Sequence, residues 1–202
     1  MMFFLWVFIN LLYNEFMKYG GGILTIGIDI DDTITYTSKY ANVLLHLDKK
    51  YDYIKDYHEL PCEDLKKFLE KYLVHIEESV FLKENVLEVL NYWHSKKIKI
   101  VFITARGSKT RLESINTTCV YFEKNKIPFE KIIFYQKSKY KMAMKEKVDL
   151  FIDDKECVLD EIKDVGIKTL RIWPNDIKSN HKVVHNWLEI KDYIDEMGDF
   201  NG

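Results

Sequence analysis

The sequence predicts an α/β protein with a parallel sheet of five strands and helices on both faces. Short apolar runs rich in β-branched residues alternate with stretches in which apolar residues recur at helical spacing. This alternation is typical of parallel sheets, whose strands are covered on both faces and therefore carry few polar residues. The five runs are ILTIGIDI (23–30), KIKIVFIT (97–104), KIIFY (131–135), VDLFIDD (148–154) and IKTLRI (167–172).

The predicted helices follow the strands, with one segment that breaks the pattern. The segment HNWLEIKDYI (185–194) predicts a closing helix, and Gly166 marks the end of the helix before the fifth strand. Residues 36–82 contain no strand of the β–α kind but include the amphipathic stretch EDLKKFLEKYLVHI. We therefore expect a small helical cap at 36–82, inserted after strand one into a core of residues 23–35 and 83–202. The remaining helices are expected near 86–93, 112–122, 139–147 and 157–165.

The composition limits the classes of partner. A chain of 202 residues fits one domain with an insertion, and its net charge of -2 gives no reason to expect binding to a nucleic-acid polymer. The three cysteines are widely spaced and form no CxxC pair. They predict reduced, buried thiols in a cytoplasmic protein. A homodimer is left open.

The first 22 residues, MMFFLWVFINLLYNEFMKYGGG, form an apolar extension of a different character. The apolar run is shorter than the roughly 20 residues of a membrane-spanning helix, and the features of a signal peptide are missing. Three interpretations stay open: a membrane-surface anchor, an extra packing helix, or sequence upstream of a true start at Met17. No membrane span is expected.

Polar residues stand at the carboxyl ends of three predicted strands. Asp29 and Asp31 end the first strand, Thr104-Ala105-Arg106 end the second, and Asp153 and Asp154 end the fourth. Because ligand sites in parallel sheets lie beyond these strand ends, the clusters are expected to share one pocket. Two unit charges 4 Å apart repel by about 4 kcal/mol at an effective dielectric of 20. A bound Mg²⁺, which prefers hard oxygen ligands, would turn this repulsion into a site.

These motifs resemble those of the haloacid dehalogenase (HAD) superfamily of phosphatases. The stretch DIDDTI resembles its first motif and VFITAR its second, while a lysine before the last motif and LFIDD resemble the third and fourth. The resemblance extends over residues 23–194 and implies a Rossmann-like core. The short cap and the tail NHKVVHNWLEI are most similar to 5'(3')-deoxyribonucleotidase-like (type C) nucleotidases and related bacterial nucleotidases.

The resemblance implies a role for each strand-end residue. Asp29 would be the nucleophile that takes the phosphoryl group. Asp31 would be the general acid and later the base, a role that neighbouring carboxylates favour by raising its pKa. The backbone carbonyl of Asp31 would also bind Mg²⁺. Thr104, with the backbone amides from Ala105 onward, would hold phosphate oxygens.

The third and fourth motifs leave a choice between neighbouring residues. Lys139 best matches the family spacing for the lysine that neutralises the phosphoryl group, with Lys137 and Lys141 as alternatives. In the fourth motif, one aspartate would bind Mg²⁺ and the other would support it. Asp154 is favoured as the ligand over Asp153.

Other polar and aromatic residues allow two interpretations each. Arg106 could bind the substrate phosphate or pair with a surface acid, and Asp32 is expected to form local hydrogen bonds. Trp187 is expected to anchor the core. The tyrosines of the cap either pack the cap itself or offer a stacking surface for a nucleobase: Tyr36, Tyr40, Tyr51, Tyr53 and Tyr57.

The favoured function is therefore a Mg²⁺-dependent phosphatase that hydrolyses small phosphate monoesters, with nucleoside 5'-monophosphates as the expected substrates. One alternative keeps the chemistry with a sugar phosphate or a nucleic-acid end as substrate. The other is a receiver-like domain that binds phosphate without turnover. Asp31 separates these classes, because an acid two residues after the nucleophile supplies the acid–base group that hydrolysis needs.

Overall fold

The computed structural model describes residues 24–51, 53–107 and 112–197, and its centre is a six-stranded sheet. The strand order is β3-β2-β1-β4-β5-β6, and every neighbouring pair is parallel. The strands are β1 (Thr25–Ile28), β2 (Lys99–Ile103), β3 (Lys131–Ile133), β4 (Leu150–Asp153), β5 (Lys168–Ile172) and β6 (Lys182–Val184). The predicted α/β class is confirmed with all five expected strands. The sixth was missed because its three residues are fewer than the run that identifies a strand.

Seven α-helices occur in the described part of the chain, and the expected closing helix is among them. They are α1 (Thr37–Leu47), α2 (Cys62–Ser79), α3 (Val86–Ser95), α4 (Leu112–Lys124), α5 (Tyr140–Lys145), α6 (Glu156–Asp164) and α7 (Trp187–Met197). Two short 3₁₀ turns, Lys49–Tyr51 and Tyr57–Glu59, lie between α1 and α2.

The two faces of the sheet bury separate apolar clusters. Along β1 and β2, Ile28 and Phe102 point to the face covered by α3, α4 and α7, while Val101 and Ile103 point to the face covered by α5 and α6. This division follows from the alternation of side chains along a strand. Trp187 of α7 is 1% exposed and packs on Trp93, so the expected core anchor is confirmed.

The helices between β1 and α3 have an apolar cluster of their own. Leu45 of α1 and Phe68 of α2 are fully covered within it. Tyr51 is buried in this cluster, and Tyr40 and Tyr57 pack against it, as expected for aromatic residues that stabilise the cap. The α2 helix also packs against α4, which connects the segment to the sheet-bearing part of the chain.

Several expectations from the sequence meet a different outcome or fall outside the described residues. The prediction of buried thiols is wrong, because Cys62, Cys119 and Cys157 are all exposed. A helix with cysteine on its polar boundary looks the same in sequence as one with cysteine inside its apolar stripe. The predicted N-terminal extension, residues 1–22, lies outside the described residues. Within the described ranges, no helix is both long and apolar enough to cross a membrane.

We predict that Gly27→Ala destabilises the fold by about 1–3 kcal/mol through overpacking. A Cβ at Gly27 would lie 3.0 Å from Val148 Cγ1 and closer still to the ring of Phe151, which is fully buried. Urea unfolding measures the loss. The double variant Gly27→Ala/Phe151→Leu should lose less than the sum of the single variants, and strict additivity would contradict the steric explanation.

Candidate active site

The carboxyl ends of β1, β2 and β4 bring the predicted site residues to one edge of the sheet. Ile28 is in register with Phe102 on one side and Ile152 on the other, so the three strands end at the same level. The backbone N–H of Asp29 continues the β4 ladder by donating to the carbonyl of Ile152 (3.0 Å). The residue after β1 is thereby held next to Asp153, at the end of β4.

A buried ion-pair bridge ties these strand ends together. Lys139, directly before α5, places its Nζ 2.6 Å from Asp29 Oδ1 and 2.7 Å from Asp153 Oδ2. All three side chains are almost fully buried. Of the three candidate lysines only Lys139 reaches this site, since Lys137 and Lys141 are exposed. A cation shared by two buried carboxylates offsets much of the cost of taking them out of water.

Three carboxylates at this edge have an arrangement that suits a divalent cation. One oxygen from each of Asp29, Asp153 and Asp154 lies within 4.8 Å of the others. Both oxygens of Asp153 are occupied, Oδ2 by Lys139 and Oδ1 by the backbone N–H of Lys155 (2.9 Å). Asp154 differs, because no hydrogen-bond donor among the described residues reaches its buried Oδ1. A buried carboxylate oxygen without a donor is costly, and a hard cation such as Mg²⁺ fits this donor set.

Burial and mutual repulsion set the protonation of these groups. Burial is the main cause that raises the pKa of Asp29 to about 7, against the attraction of Lys139. Burial and the neighbouring Asp153 charge raise the pKa of Asp154 to about 8. Burial alone would lower the pKa of Lys139, but Asp29 and Asp153 outweigh it and hold the pKa above its usual value. When all three carboxylates are ionised, Lys139 alone does not balance their charge, and a bound cation would neutralise the remainder.

Asp31 lies apart from the three-carboxylate group and belongs to a separate ion pair. The Arg106 guanidinium donates to both carboxylate oxygens of Asp31 through Nε, at 3.1 and 3.0 Å, and Thr37 Oγ1 donates at 2.8 Å. Burial opposes the shift, but Arg106 lowers the pKa of Asp31 below its usual value. The expectation of a raised pKa for Asp31 is wrong, because the sequence does not reveal this cation.

The second-motif residues occupy three different environments. Thr104 is fully buried, and its Oγ1 accepts from the backbone N–H of Arg106 (3.1 Å), while Ala105 is exposed. Arg106 is itself buried and pairs with Asp31. This geometry corrects the alternative in which Arg106 pairs with a surface acid, since its partner belongs to the predicted site.

Two residues near the site matter more than the sequence indicated. Asp32 has a positive φ of 56° and accepts from the backbone N–H of Ser38 (2.8 Å) at the start of α1, which confirms its local hydrogen-bonding role. The Nζ of Lys83 donates to the carbonyl of Asp32, and burial lowers the pKa of Lys83. Nothing in the sequence marks Lys83, because the contact joins the two ends of the predicted cap.

Two cavities open beside these groups. A cavity of about 160 Å³ reaches Asp31 and is bounded by α1, α2 and Tyr57. A larger cavity of about 330 Å³ reaches Asp154 and extends to Trp173, beyond β5. Both lie between the helical segment 36–82 and the carboxyl edge of the sheet. A phosphate ester could therefore enter with its phosphate at the carboxylates and its remainder in a cavity.

Comparison with solved structures adds the fold family. A hydrolase of the HAD superfamily from Ehrlichia chaffeensis aligns with a TM-score of 0.53 and 14% identity, over 86% of this chain and 96% of that one. A HAD hydrolase from Bacillus subtilis, YfnB bound to magnesium, aligns with a TM-score of 0.61 and 14% identity, over 87% and 100%. The fold is that of the HAD superfamily. No protein-family model matches the chain, and no curated protein sequence does.

A third HAD-fold structure carries a sugar bisphosphate. CbbY from Rhodobacter sphaeroides, in complex with xylulose-(1,5)-bisphosphate, aligns with a TM-score of 0.54 and 13% identity, over 82% of this chain and 95% of that one. At identities this low the structural similarity shows the fold alone, and the reaction has to be argued from the site. The narrower resemblance to type C nucleotidases stays a prediction.

We predict that Lys139→Met destabilises the protein by about 3–5 kcal/mol at pH 8, because it leaves two buried carboxylates without their cation. The folded-state pKa of Asp29 lies above the 3.8 of a free carboxyl, so protonation stabilises the fold and this contribution is lost as the pH rises through 7. At pH 5 Asp29 is mostly protonated and no longer needs a cation, so Lys139→Met should lose less free energy of unfolding at pH 5 than at pH 8. Urea unfolding at both pH values measures it.

The matched controls are Lys137→Met and Lys141→Met, which remove the same charge from exposed positions. Both should change the free energy of unfolding by less than about 0.5 kcal/mol. A loss in Lys139→Met no greater than in these controls would contradict the bridge.

Proposed function

We propose that the protein is a Mg²⁺-dependent phosphatase that hydrolyses small phosphate monoesters through a phosphorylated Asp29. The observation that carries this proposal is the bridge from Lys139 to Asp29 and Asp153, with Asp154 in the same group of carboxylates. A nucleophilic carboxylate needs a neighbouring cation when a dianionic phosphate approaches it, and this site supplies one.

Asp29 is positioned to act as the nucleophile. One of its carboxylate oxygens attacks phosphorus, the bond from phosphorus to the leaving oxygen breaks, and Asp29 becomes an aspartyl phosphate. Lys139, with Thr104 at the end of β2, faces the charge that spreads over the phosphoryl oxygens. Water then attacks the phosphorus, the bond to Asp29 breaks, and inorganic phosphate leaves.

Asp31 is the proposed acid and base. It gives a proton to the leaving oxygen in the first step and takes a proton from the attacking water in the second. Its pairing with Arg106 favours the ionised form that the second step uses. For the first step Asp31 must carry a proton. Its pKa would rise if the guanidinium of Arg106 turned toward the incoming phosphate and its ion pair with Asp31 weakened.

The proposed Mg²⁺ ligands are Asp29, Asp154 and the backbone carbonyl of Asp31. When bound, Mg²⁺ neutralises negative charge on the carboxylates and the phosphate. Asp153, whose two oxygens are occupied by Lys139 and the Lys155 N–H, supports the site by holding Lys139 in place. The unpartnered Oδ1 of Asp154 favours this residue as the direct ligand.

The proposed substrates are small, with nucleoside 5'-monophosphates favoured. A cavity of about 330 Å³ is at the small end of the roughly 300–1,000 Å³ range for small-molecule sites, so it suits one nucleoside and not a polymer. Sugar phosphates are the second candidate, because the CbbY structure of the same fold holds a sugar bisphosphate. A cytoplasmic location and a small phosphorylated partner complete the proposal.

We predict that Asp29→Asn lowers phosphate release by at least about 10³-fold, because an amide cannot act as the nucleophile. The assay is inorganic phosphate release from a panel of nucleotides and sugar phosphates with Mg²⁺. Asp164→Asn, at the exposed end of α6, is the matched control and should retain activity. Normal turnover by Asp29→Asn would contradict the assignment of Asp29 as the nucleophile. If the wild type released phosphate from none of the esters, a phosphate-binding domain without turnover would be favoured.

We predict that Mg²⁺ stabilises the folded protein through Asp154. At a Mg²⁺ concentration of about 100 times the dissociation constant, binding adds about 2.7 kcal/mol to the free energy of unfolding. For a chain of this size, that raises the Tm by about 5–10 °C. The shift should be larger at pH 8 than at pH 6, because Asp29 and Asp154, with pKa values of about 7 and 8, must lose protons to bind metal.

Differential scanning fluorimetry with Mg²⁺ and with a chelator measures this shift. Asp154→Asn should abolish it, while Asp164→Asn should leave it unchanged. An undiminished Mg²⁺ response in Asp154→Asn would contradict the assignment of this ligand.

A further inference from the structure

The larger cavity beside Asp154 has one wall made of ring and apolar side chains. Ile172, the last residue of β5, forms this wall with Trp173 and Pro174. Tyr36 lines the cavity from the chain that enters α1. Trp173 is partly exposed, in contrast to Trp93 and Trp187, which are buried. The part of the Trp173 indole that stays exposed beside the proposed catalytic carboxylates is available to a ligand.

Two acidic side chains of the same cavity, Asp32 and Asp56, already have partners. Both oxygens of Asp32 accept from Ser38, and both oxygens of Asp56 are in contact with donors from His58 and Asn42. A sugar, with hydroxyl groups in several directions, needs free donors and acceptors around it. A flat ring gains most of its binding energy from contact with aromatic and apolar surface, which this cavity offers.

The backbone of Trp173 is hydrogen-bonded on both sides, which fixes the position of the residue at the edge of the cavity. The backbone N–H of Trp173 donates to the carbonyl of Val184 (2.9 Å), and the backbone carbonyl of Trp173 accepts from His185 Nδ1 (3.0 Å). The Arg171 guanidinium lies 5.2 Å from the ring centroid and donates through Nε to the carbonyl of Asp154 (3.1 Å). Arg171 thus lies between the ring wall and the backbone of the proposed metal ligand.

We propose that Trp173, with Tyr36 lining the same cavity, binds the aromatic ring of the leaving group, so that the preferred substrates are nucleotides whose base stacks on the indole. This inference rests on the phosphatase function proposed above. It assigns base recognition to the loop after β5. Among the cap tyrosines that the sequence offered for stacking, Tyr51 is buried in the cap cluster and Tyr40 and Tyr57 pack against it, whereas Tyr36 lines the cavity.

The test compares a substrate with a ring and one without. For Trp173→Leu, kcat/KM with adenosine, guanosine, cytidine or thymidine 5'-monophosphate should fall by between about fivefold and 150-fold, the range for loss of one base–aromatic stack. For glycerol 2-phosphate, kcat/KM should change by less than about twofold, because no ring is lost. Trp173→Phe should recover most of the nucleotide activity. Phe129→Leu, a partly exposed aromatic position on another part of the surface, is the matched control.

A binding measurement keeps the proposal testable if Trp173→Leu folds poorly. In the inactive Asp29→Asn variant with Mg²⁺, adding a nucleoside 5'-monophosphate should change the tryptophan fluorescence, and the change should be absent in Asp29→Asn/Trp173→Phe. An equal signal in both variants would have to come from a tryptophan other than Trp173 and would overturn the proposal.

The outcomes separate this inference from the function on which it rests. Equal loss of nucleotide and glycerol 2-phosphate turnover in Trp173→Leu would overturn ring recognition and leave the phosphatase standing. Ring recognition would also be overturned, with the phosphatase left standing, if the wild type preferred sugar phosphates and Trp173→Leu did not change their turnover. A wild type that cleaves no ester with Mg²⁺ would instead overturn the phosphatase itself.

Discussion

The site depends on one buried cation, Lys139, shared between the carboxylates of Asp29 and Asp153. These residues come from the ends of two neighbouring strands and from the start of α5, and they meet because β1 and β4 are in register at the centre of the sheet. Without Lys139 the repulsion among three buried carboxylates would oppose folding. The same interaction therefore places a buried cation next to Asp29, the carboxylate that is proposed to attack phosphorus.

Two ion pairs divide the acidic residues into two groups, in which the pKa values are shifted in opposite directions. Burial raises the pKa of Asp29 to about 7, whereas Arg106, against burial, lowers the pKa of Asp31. Ligands would reverse both shifts: a divalent cation favours ionised Asp29, and a phosphate that attracts Arg106 favours protonated Asp31. Binding of metal and substrate would thus convert the resting protonation into the one that the first chemical step requires.

The sequence was sufficient for the fold class and for the convergence of the strand ends, because side chains after parallel strands must meet at one edge. It predicted that Asp29, Asp153 and Asp154 are neighbours, and the family resemblance favoured Lys139 over Lys137 and Lys141. It could not identify the partner of Arg106 or the contact of Lys83 with Asp32, since these depend on how a loop and the helical segment 36–82 pack against the sheet. The short strand β6 and the exposed cysteines were missed for a similar reason, because local pattern does not determine them.

Chemical trapping of the phosphorylated residue tests the central claim most directly. Protein mixed with substrate and Mg²⁺ is quenched with borohydride, which reduces an aspartyl phosphate to homoserine, and peptide mass spectrometry locates the change. The site predicts conversion of Asp29 alone, dependent on both substrate and Mg²⁺. Conversion of a different aspartate, or none while inorganic phosphate is still released, would contradict the assignment of Asp29 as the residue that accepts the phosphoryl group.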